Sequence, residues 1–271
     1  MKHLCLWAIM VCSVAPSAGL AFTWSDVTEP APGSPHVIGS YAAGCVQGTV
    51  PVPPEGPGFQ VMRLSRRRFF GHPVLVRFLQ ELGAAAARQG LGVLSIGDLG
   101  QPRGGPTPSG HRSHQTGLDV DIWFWLQRDG EVLPEAGREA VEAPSMLTAD
   151  GRALDERRWA QPQVDVLRLA AGFDSVSRIF VNPLIKKALC EKSPGAPWLQ
   201  KLRPWWGHDD HFHVRLRCPP GETACQDQNG PPAGDGCGAD LAWWFSEEAR
   251  KPRPHVPQVP LPAACEDILR K

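Results

Sequence analysis

The sequence predicts a single loop-rich α+β domain, a small antiparallel sheet flanked by helices with long Pro/Gly-rich loops and disulfides. Three observations predict it. Apolar residues alternate with period two in several short runs, which suits half-buried strands. Only one clear amphipathic helix of ordinary length stands out, with no internal repeat. Proline and glycine number 28 each, and they cluster at Pro30 to Pro35, Val50 to Gly58, Pro102 to Gly110, Pro219 to Gly238 and Pro252 to Pro262, which marks loops and a tail.

Taken in order, the chain begins MKHLCLWAIMVCSVAPSAGLA. Lys2, the apolar run Leu4 to Ala15 and the small residues Gly19 and Ala21 read as a cleavable signal peptide over 1–21, cut near Ala21. The apolar run is too short for a membrane span. Val11 stands where a lipid-attachment motif at Cys12 would need a small residue, so no membrane anchor is expected after cleavage. Residues 22–271 then form one domain, and the 42% hydrophobic content is ample for a core. Lys plus Arg and Asp plus Glu are both 28, a balance that argues against nucleic acid or an anionic membrane as partner.

The clearest helix spans Pro73 to about Arg88, with proline in its first turn, Leu75, Phe78, Leu79 and Leu82 at helical spacing, and Gly90 beyond its end. Further helices are expected over Gln163 to Ala171 and from Asn182-Pro183 to Cys190. Strands are expected at Gly92 to Ile96, Gly117 to Leu126, Ser177 to Val181 and His211 to Arg217. The Trp205-Trp206 and Trp243-Trp244 pairs could line a substrate groove but read first as core or half-buried scaffold, and Arg66-Arg67-Arg68 reads as a solvated face that could also attract an anionic polymer. Beyond the signal, six cysteines remain, Cys45, Cys190, Cys218, Cys225, Cys237 and Cys265. An even number in an exported chain, without any CxxC pair, predicts disulfides; spacing favours only Cys218 with Cys225.

Five of the eight histidines beyond residue 21 fall in two segments. In HRSHQTGLDVDIWFW, Leu118, Val120, Ile122 and Phe124 occupy one face of a strand, and Asp119 and Asp121 the other. Gly117 lets the chain fold back so that His114 and Asp121 converge. In GHDDHFHVRLRCP, His211, His213 and Arg215 share a face opposite Phe212, Val214 and Leu216. Two histidines and a carboxylate with one open position form a recurrent catalytic zinc shell, assigning the metal to His114, Asp121 and His213. His211 is the expected general base or oxyanion stabiliser. His208 and His111 are expected to orient a ligand, to serve an additional metal, or to be loop residues. Asp119 is expected to be solvated or hydrogen-bonded. The same donor set serves non-haem iron oxygenases, but export and disulfides argue against that reading. No HExxH, GxSxG, P-loop or GxGxxG is present.

At these residues the chain resembles the penicillin-insensitive murein endopeptidases, within the wider group of lysostaphin-like, D-Ala-D-Ala and hedgehog-type zinc folds. Four blocks carry the resemblance: SHQTGLDVDIW (Ser113 to Trp123), SRIFVNPLIKKALC (Ser177 to Cys190), HFHVRLRCP (His211 to Pro219) and GDGCGADLAWWF (Gly234 to Phe245). It implies a periplasmic, zinc-dependent metallopeptidase that hydrolyses the D-alanyl-meso-diaminopimelyl cross-link of peptidoglycan, with His114, Asp121 and His213 on zinc and His211 catalytic. It also implies the pairs Cys45–Cys265, Cys190–Cys237 and Cys218–Cys225, so that Cys265 ties back a Pro-rich tail over about 250–265. Relatives show an Asp-Gly-x-His stretch for additional metal, whereas here Asp150-Gly151-Arg152 is followed by Ala153. This leaves a second site at Asp150 and His111 in doubt. Alternatives on the same scaffold are a D-Ala-D-Ala carboxypeptidase and a non-catalytic, zinc-stabilised cell-wall-binding module.

Overall fold

The computed structural model describes residues 22–108, 112–127, 130–252 and 259–271. The signal-peptide reading over 1–21, residue His111 and part of the Pro-rich tail therefore lie outside the described residues. Among the described residues eleven strands occur in chain order: β1 (His36–Ser40), β2 (Ala43–Gln47), β3 (Val50–Pro51), β4 (Glu55–Gly56), β5 (Phe59–Val61), β6 (Phe70–Gly71), β7 (Val93–Ile96), β8 (Asp119–Gln127), β9 (Val176–Val181), β10 (Leu202–Pro204) and β11 (His211–Leu216). Seven of them form one sheet in the order β10-β9-β11-β8-β7-β5-β4. The α+β class holds. The sheet is wider than the sequence suggested, because β4, β5 and β10 are too short to show a period. It also has parallel outer pairs, β10 with β9 and β5 with β7.

Its centre is antiparallel, β11 lying between β8 and β9. The alternation of Leu118, Val120, Ile122 and Phe124 puts all four in the core. There they meet Phe212, Val214 and Leu216, which alternate in the same sense on β11. Burying each such side chain contributes about 1.5–3 kcal/mol, and a one-residue slip would turn every one to the opposite face. Register is thus fixed by the core, and with it the position of every polar residue on the other face.

The Pro73–Arg88 helix closes the core with Leu75, Phe78, Leu79 and Leu82, all buried. Pro73 opens it, the His72 ring accepts a hydrogen bond from the Val74 amide at 3.2 Å, and Gly90 leaves it with φ 67°. The Gln161–Ala171 helix packs beside it, Phe78 meeting Phe173 edge-on at 5.1 Å. A third helix, Pro183–Lys192, is capped by the Asn182 side chain, which accepts from the Leu184 amide at 2.9 Å. Among the described residues no helix is long and apolar enough to cross a membrane.

Disulfides join Cys45 to Cys265, Cys190 to Cys237 and Cys218 to Cys225, the pairing that the resemblance implies. The first fastens the C-terminal helix Ala264–Arg270 under the β1–β2 hairpin, where Trp24, Ile38 and Ile268 form a small separate core.

Candidate metal centre

Register builds the site. Across β8 and β11, His213 stands opposite Asp121, Arg215 opposite Asp119, and His211 opposite Trp123. Directly opposed residues on one face of a sheet bring their side chains within reach of one another. His114 arrives from the turn before β8, in the left-handed region at φ 69°. Gly117 follows with φ 66°, and a Cβ there would lie 2.9 Å from the His72 amide nitrogen. The glycine is therefore required both by its conformation and by the close approach.

His114, Asp121 and His213 are all buried and offer one ligand atom each within 4.8 Å of one another. Among the described residues they are the one such group. His114 Nε2 lies 3.4 Å from Asp121 Oδ2, while His213 Nδ1 and His211 Nε2 lie 3.0 and 3.6 Å from Asp121 Oδ1. Asp121 Oδ1 nevertheless accepts no well-aimed hydrogen bond, and His211 Nε2 is buried without one. Donor atoms that converge without satisfying each other suit a cation placed between them. The residues fit a metal.

His213 and His211 are each held by a further carboxylate. Asp119 is fully buried, and its Oδ1 accepts from His213 Nε2 and from Arg215 Nε, both at 2.7 Å. This fixes the His213 tautomer and leaves Nδ1 facing Asp121. The Arg215 guanidinium in turn lies 3.5 Å from the centre of the Tyr41 ring and donates to Gln228 at 2.7 Å. Of the two roles foreseen for Asp119, hydrogen bonding is the one observed. His211 Nδ1 bonds Asp210 Oδ1 at 2.5 Å, so its Nε2 is the nitrogen turned to the site. Asp210 was not singled out from the sequence. Its only signal there was position, beside a ligand-bearing strand.

The electrostatics are dominated by mutual charge. Burial opposes the Asp121 carboxylate, but His114 and His211 hold it well below the usual carboxylate range. Asp119 is likewise lowered, Arg215 and His213 overcoming its burial. Burial also works against a charged His211, yet Asp121 and then Asp210 raise it to about 9. His114 is raised by Asp121 against the same penalty. His208 behaves oppositely: burial first, then the neighbouring His211 and His213, push it down to about 3. Its ring sits 5.0 Å from that of His211, and its Nδ1 bonds the Trp206 carbonyl at 3.2 Å.

Asp150 is not brought into the group. It is exposed, and its carboxylate closes its own turn by accepting from Thr148 Oγ1 at 2.6 Å and the Arg152 amide at 3.1 Å.

A cleft of about 310 Å³ opens beside Asp121 and His211, lined also by Arg63, Arg66, Asp98, Trp123 and Glu142. Arg66 and Arg68 both pair with Asp98 Oδ2 at 2.9 Å, and Arg67 bonds the Thr28 carbonyl at 2.6 Å. Arg66 and Arg67 are exposed, as a solvated face requires, with Arg66 also on the cleft rim, while Arg68 is half-buried against Asp98. The tryptophans need a correction. Trp205, Trp206 and Trp243 are 46%, 41% and 43% exposed and Trp244 is half-buried, so none is core and the groove-lining alternative stays open.

The profile of the penicillin-insensitive murein endopeptidases matches residues 37–270. The chain belongs to this family. A penicillin-insensitive murein endopeptidase of Yersinia enterocolitica is 45% identical to it over 264 residues, covering 94% of each chain. Those of Salmonella paratyphi A and Salmonella typhi are 44% identical over 258 residues, covering 93% of each. The family is one of metallopeptidases, and the His114–Asp121–His213 group is where this member would hold its metal.

Proposed function

We propose that the protein is an exported, zinc-dependent murein endopeptidase that acts in the periplasm on the D-alanyl-meso-diaminopimelyl cross-link of peptidoglycan. The observation that carries this reading is the convergence of His114 Nε2, Asp121 and His213 Nδ1 beside a fourth group, His211, whose Nε2 faces the same point. Two imidazoles and one carboxylate form a zinc donor set with room for a water. Bound there, zinc would supply a water acidified toward a pKa of about 7 and a Lewis acid for the scissile carbonyl. Disulfides support an oxidising compartment over an intracellular iron oxygenase.

The chain's own residues divide the remaining work. Asp210 holds His211 with Nε2 turned to the site. With a cation offsetting the Asp121 charge that keeps this ring protonated, Nε2 would accept the proton released during attack and return it to the leaving amine. Asp119, anchored by Arg215, keeps His213 Nδ1 in place through turnover. His208 stays neutral, so it adds no charge beside His211. The cleft offers Arg63 and Arg66 for carboxylates and Asp98, Glu142 and Asp210 for an ammonium. A stem peptide carrying both signs on its diaminopimelate matches that lining. Arg63 suits this role, because its Nε is buried without a hydrogen-bond partner and its backbone is held at φ 55°. No serine or cysteine nucleophile is used, so a β-lactam finds nothing to acylate.

The test is digestion of purified cross-linked sacculi by metal-loaded and chelated enzyme, with the muropeptides resolved. Cross-linked dimers should fall and monomers rise only with metal. Undiminished dimers with loaded enzyme would refute the proposal, and release of terminal D-alanine from pentapeptide monomers instead would establish the carboxypeptidase.

A further inference from the structure

We propose that Trp205, Trp206, Trp243 and Trp244 form a binding shelf for the sugar chain of the substrate, separate from the cleft that takes the peptide. This rests on the murein reading above. The four rings come from two segments, the turn after β10 and the short helix Ala239–Trp243 with the residue that follows it. Trp244 is the hub, its centroid 5.3 Å from Trp243, 5.9 Å from Trp205 and 5.6 Å from Trp206. Three of the four remain more than two-fifths exposed. A contiguous group of exposed indoles is unusual on a protein surface and marks a contact face.

The shelf is continuous with the centre. Trp205 meets Phe180 at 5.9 Å, and Phe180 meets the His213 ring at 5.5 Å. Sheet order places it: Phe180 and Trp205 lie on the β9–β10 side of the ligand-bearing strands, whereas Gly97, Asp98 and Arg63 of the cleft follow β7 and β5 on the other side. The two flanks differ in chemistry, one charged and one aromatic.

Murein has the same division. Its stem peptides carry carboxylates and an ammonium, while its sugar chain is neutral once the lactyl carboxylate is consumed in the amide to the stem. Pyranose rings expose flat C–H faces that pack on aromatic faces. The neutral aromatic flank therefore suits the sugar, and the charged flank the peptide.

The shelf is also rigid. Cys190–Cys237 and the Lys186 ammonium, which donates to the Asp235 and Leu199 carbonyls at 2.6 and 2.7 Å, pin the segment leading to Trp243. Val181 accepts from the Trp205 amide at 2.9 Å, and Asn182 donates to the Gly207 carbonyl at 3.0 Å, fixing the other segment. Rings held in advance lose little entropy on binding.

The experiment uses metal-loaded full-length mature enzyme and the double variant Trp206→Ala/Trp243→Ala, with Trp206→Phe/Trp243→Phe as the conservative control. Two substrates are compared, intact sacculi and a soluble cross-linked peptide dimer without sugar. The rate on sacculi should fall about tenfold more than the rate on the dimer, with the Phe variant close to wild type. In parallel, N-acetylglucosamine oligomers, a neutral glycan that carries no lactyl carboxylate, are titrated into the His211→Ala protein, and the same Trp→Ala pair added to it should weaken binding about tenfold. Equal losses on both substrates, no loss on sacculi, or no glycan binding by the parent protein would overturn the shelf. Failure of the wild type to cleave either substrate would instead overturn the murein reading, and the glycan titration would still decide whether the shelf binds sugar.

Discussion

Asp119 and His213 share a 2.7 Å hydrogen bond through Nε2, while the other nitrogen of the same ring faces Asp121 at 3.0 Å. One imidazole is thereby held between two carboxylates two residues apart on β8, one anchored by Arg215 and the other open to a metal. Replacing Asp119 by Asn keeps the shape but weakens the hold on the tautomer. Metal affinity, measured by competition with a chromophoric chelator, should fall by about 10–100-fold. An unchanged affinity would show that the ring is positioned by packing alone.

His211 lies beside the donor group but is not needed to complete it. His211→Ala should therefore retain its metal and lose about 10²–10⁴ in kcat on cross-linked peptide. Asp210→Asn should show a smaller loss in kcat, about tenfold, because it orients the ring without handling the proton. Loss of metal from the His211 variant, seen by elemental analysis, would contradict this division.

The raised pKa of His211 has a calculable effect on the metal-free protein. With its folded value at about 9 and an unfolded value near 6.5, His211 contributes stability that is fully present below about pH 6.5 and lost as pH rises through 9. The chelated protein should accordingly lose thermal stability over that window, and His211→Ala should flatten the loss. Metal on Asp121 should offset the negative charge that keeps His114 and His211 protonated, so binding at pH 7 should release protons from these rings. Calorimetry in buffers of different ionisation enthalpy reads that number directly, and zero release would refute the charge balance drawn here.

Gly117→Ala tests the turn between His114 and Asp121. With φ at 66° and a Cβ 2.9 Å from the His72 amide nitrogen, the variant should lose more than about 1 kcal/mol in denaturant unfolding. It should also bind metal more weakly, since the turn delivers His114. A silent substitution would mean that the turn adjusts freely.

Much of this centre is legible in the sequence because β8 and β11 are buried on both faces by different means. Leu118 to Phe124 alternate against the core, so the polar partners at Asp119 and Asp121 are displayed by default. The same logic sets His211, His213 and Arg215 on the face away from the core. What escaped the sequence depends on contacts across distant segments. Asp210 is the exception, a sequence neighbour of His211 that looks like half of an acidic loop, and its contact is set by a side-chain rotamer that no spacing reveals. Asp98 pairs with both Arg66 and Arg68 from a separate segment, although nothing in their spacing indicates it. The tryptophan pairs have the composition of core, and their exposure follows from how Cys190–Cys237 folds the later segment over the Pro183–Lys192 helix.

The three disulfides are nested, Cys218–Cys225 lying within Cys190–Cys237 and both within Cys45–Cys265. In a chain that emerges from its N-terminus, Cys45 meets Cys190 long before Cys265 appears, and pairing in order of appearance would join Cys45 to Cys190 and Cys237 to Cys265. Only the innermost bridge survives such an order. The other two are reached by thiol exchange or by keeping Cys45 reduced until the last helix arrives. The outermost bridge of the nest can close only once the segment carrying Cys265 is present.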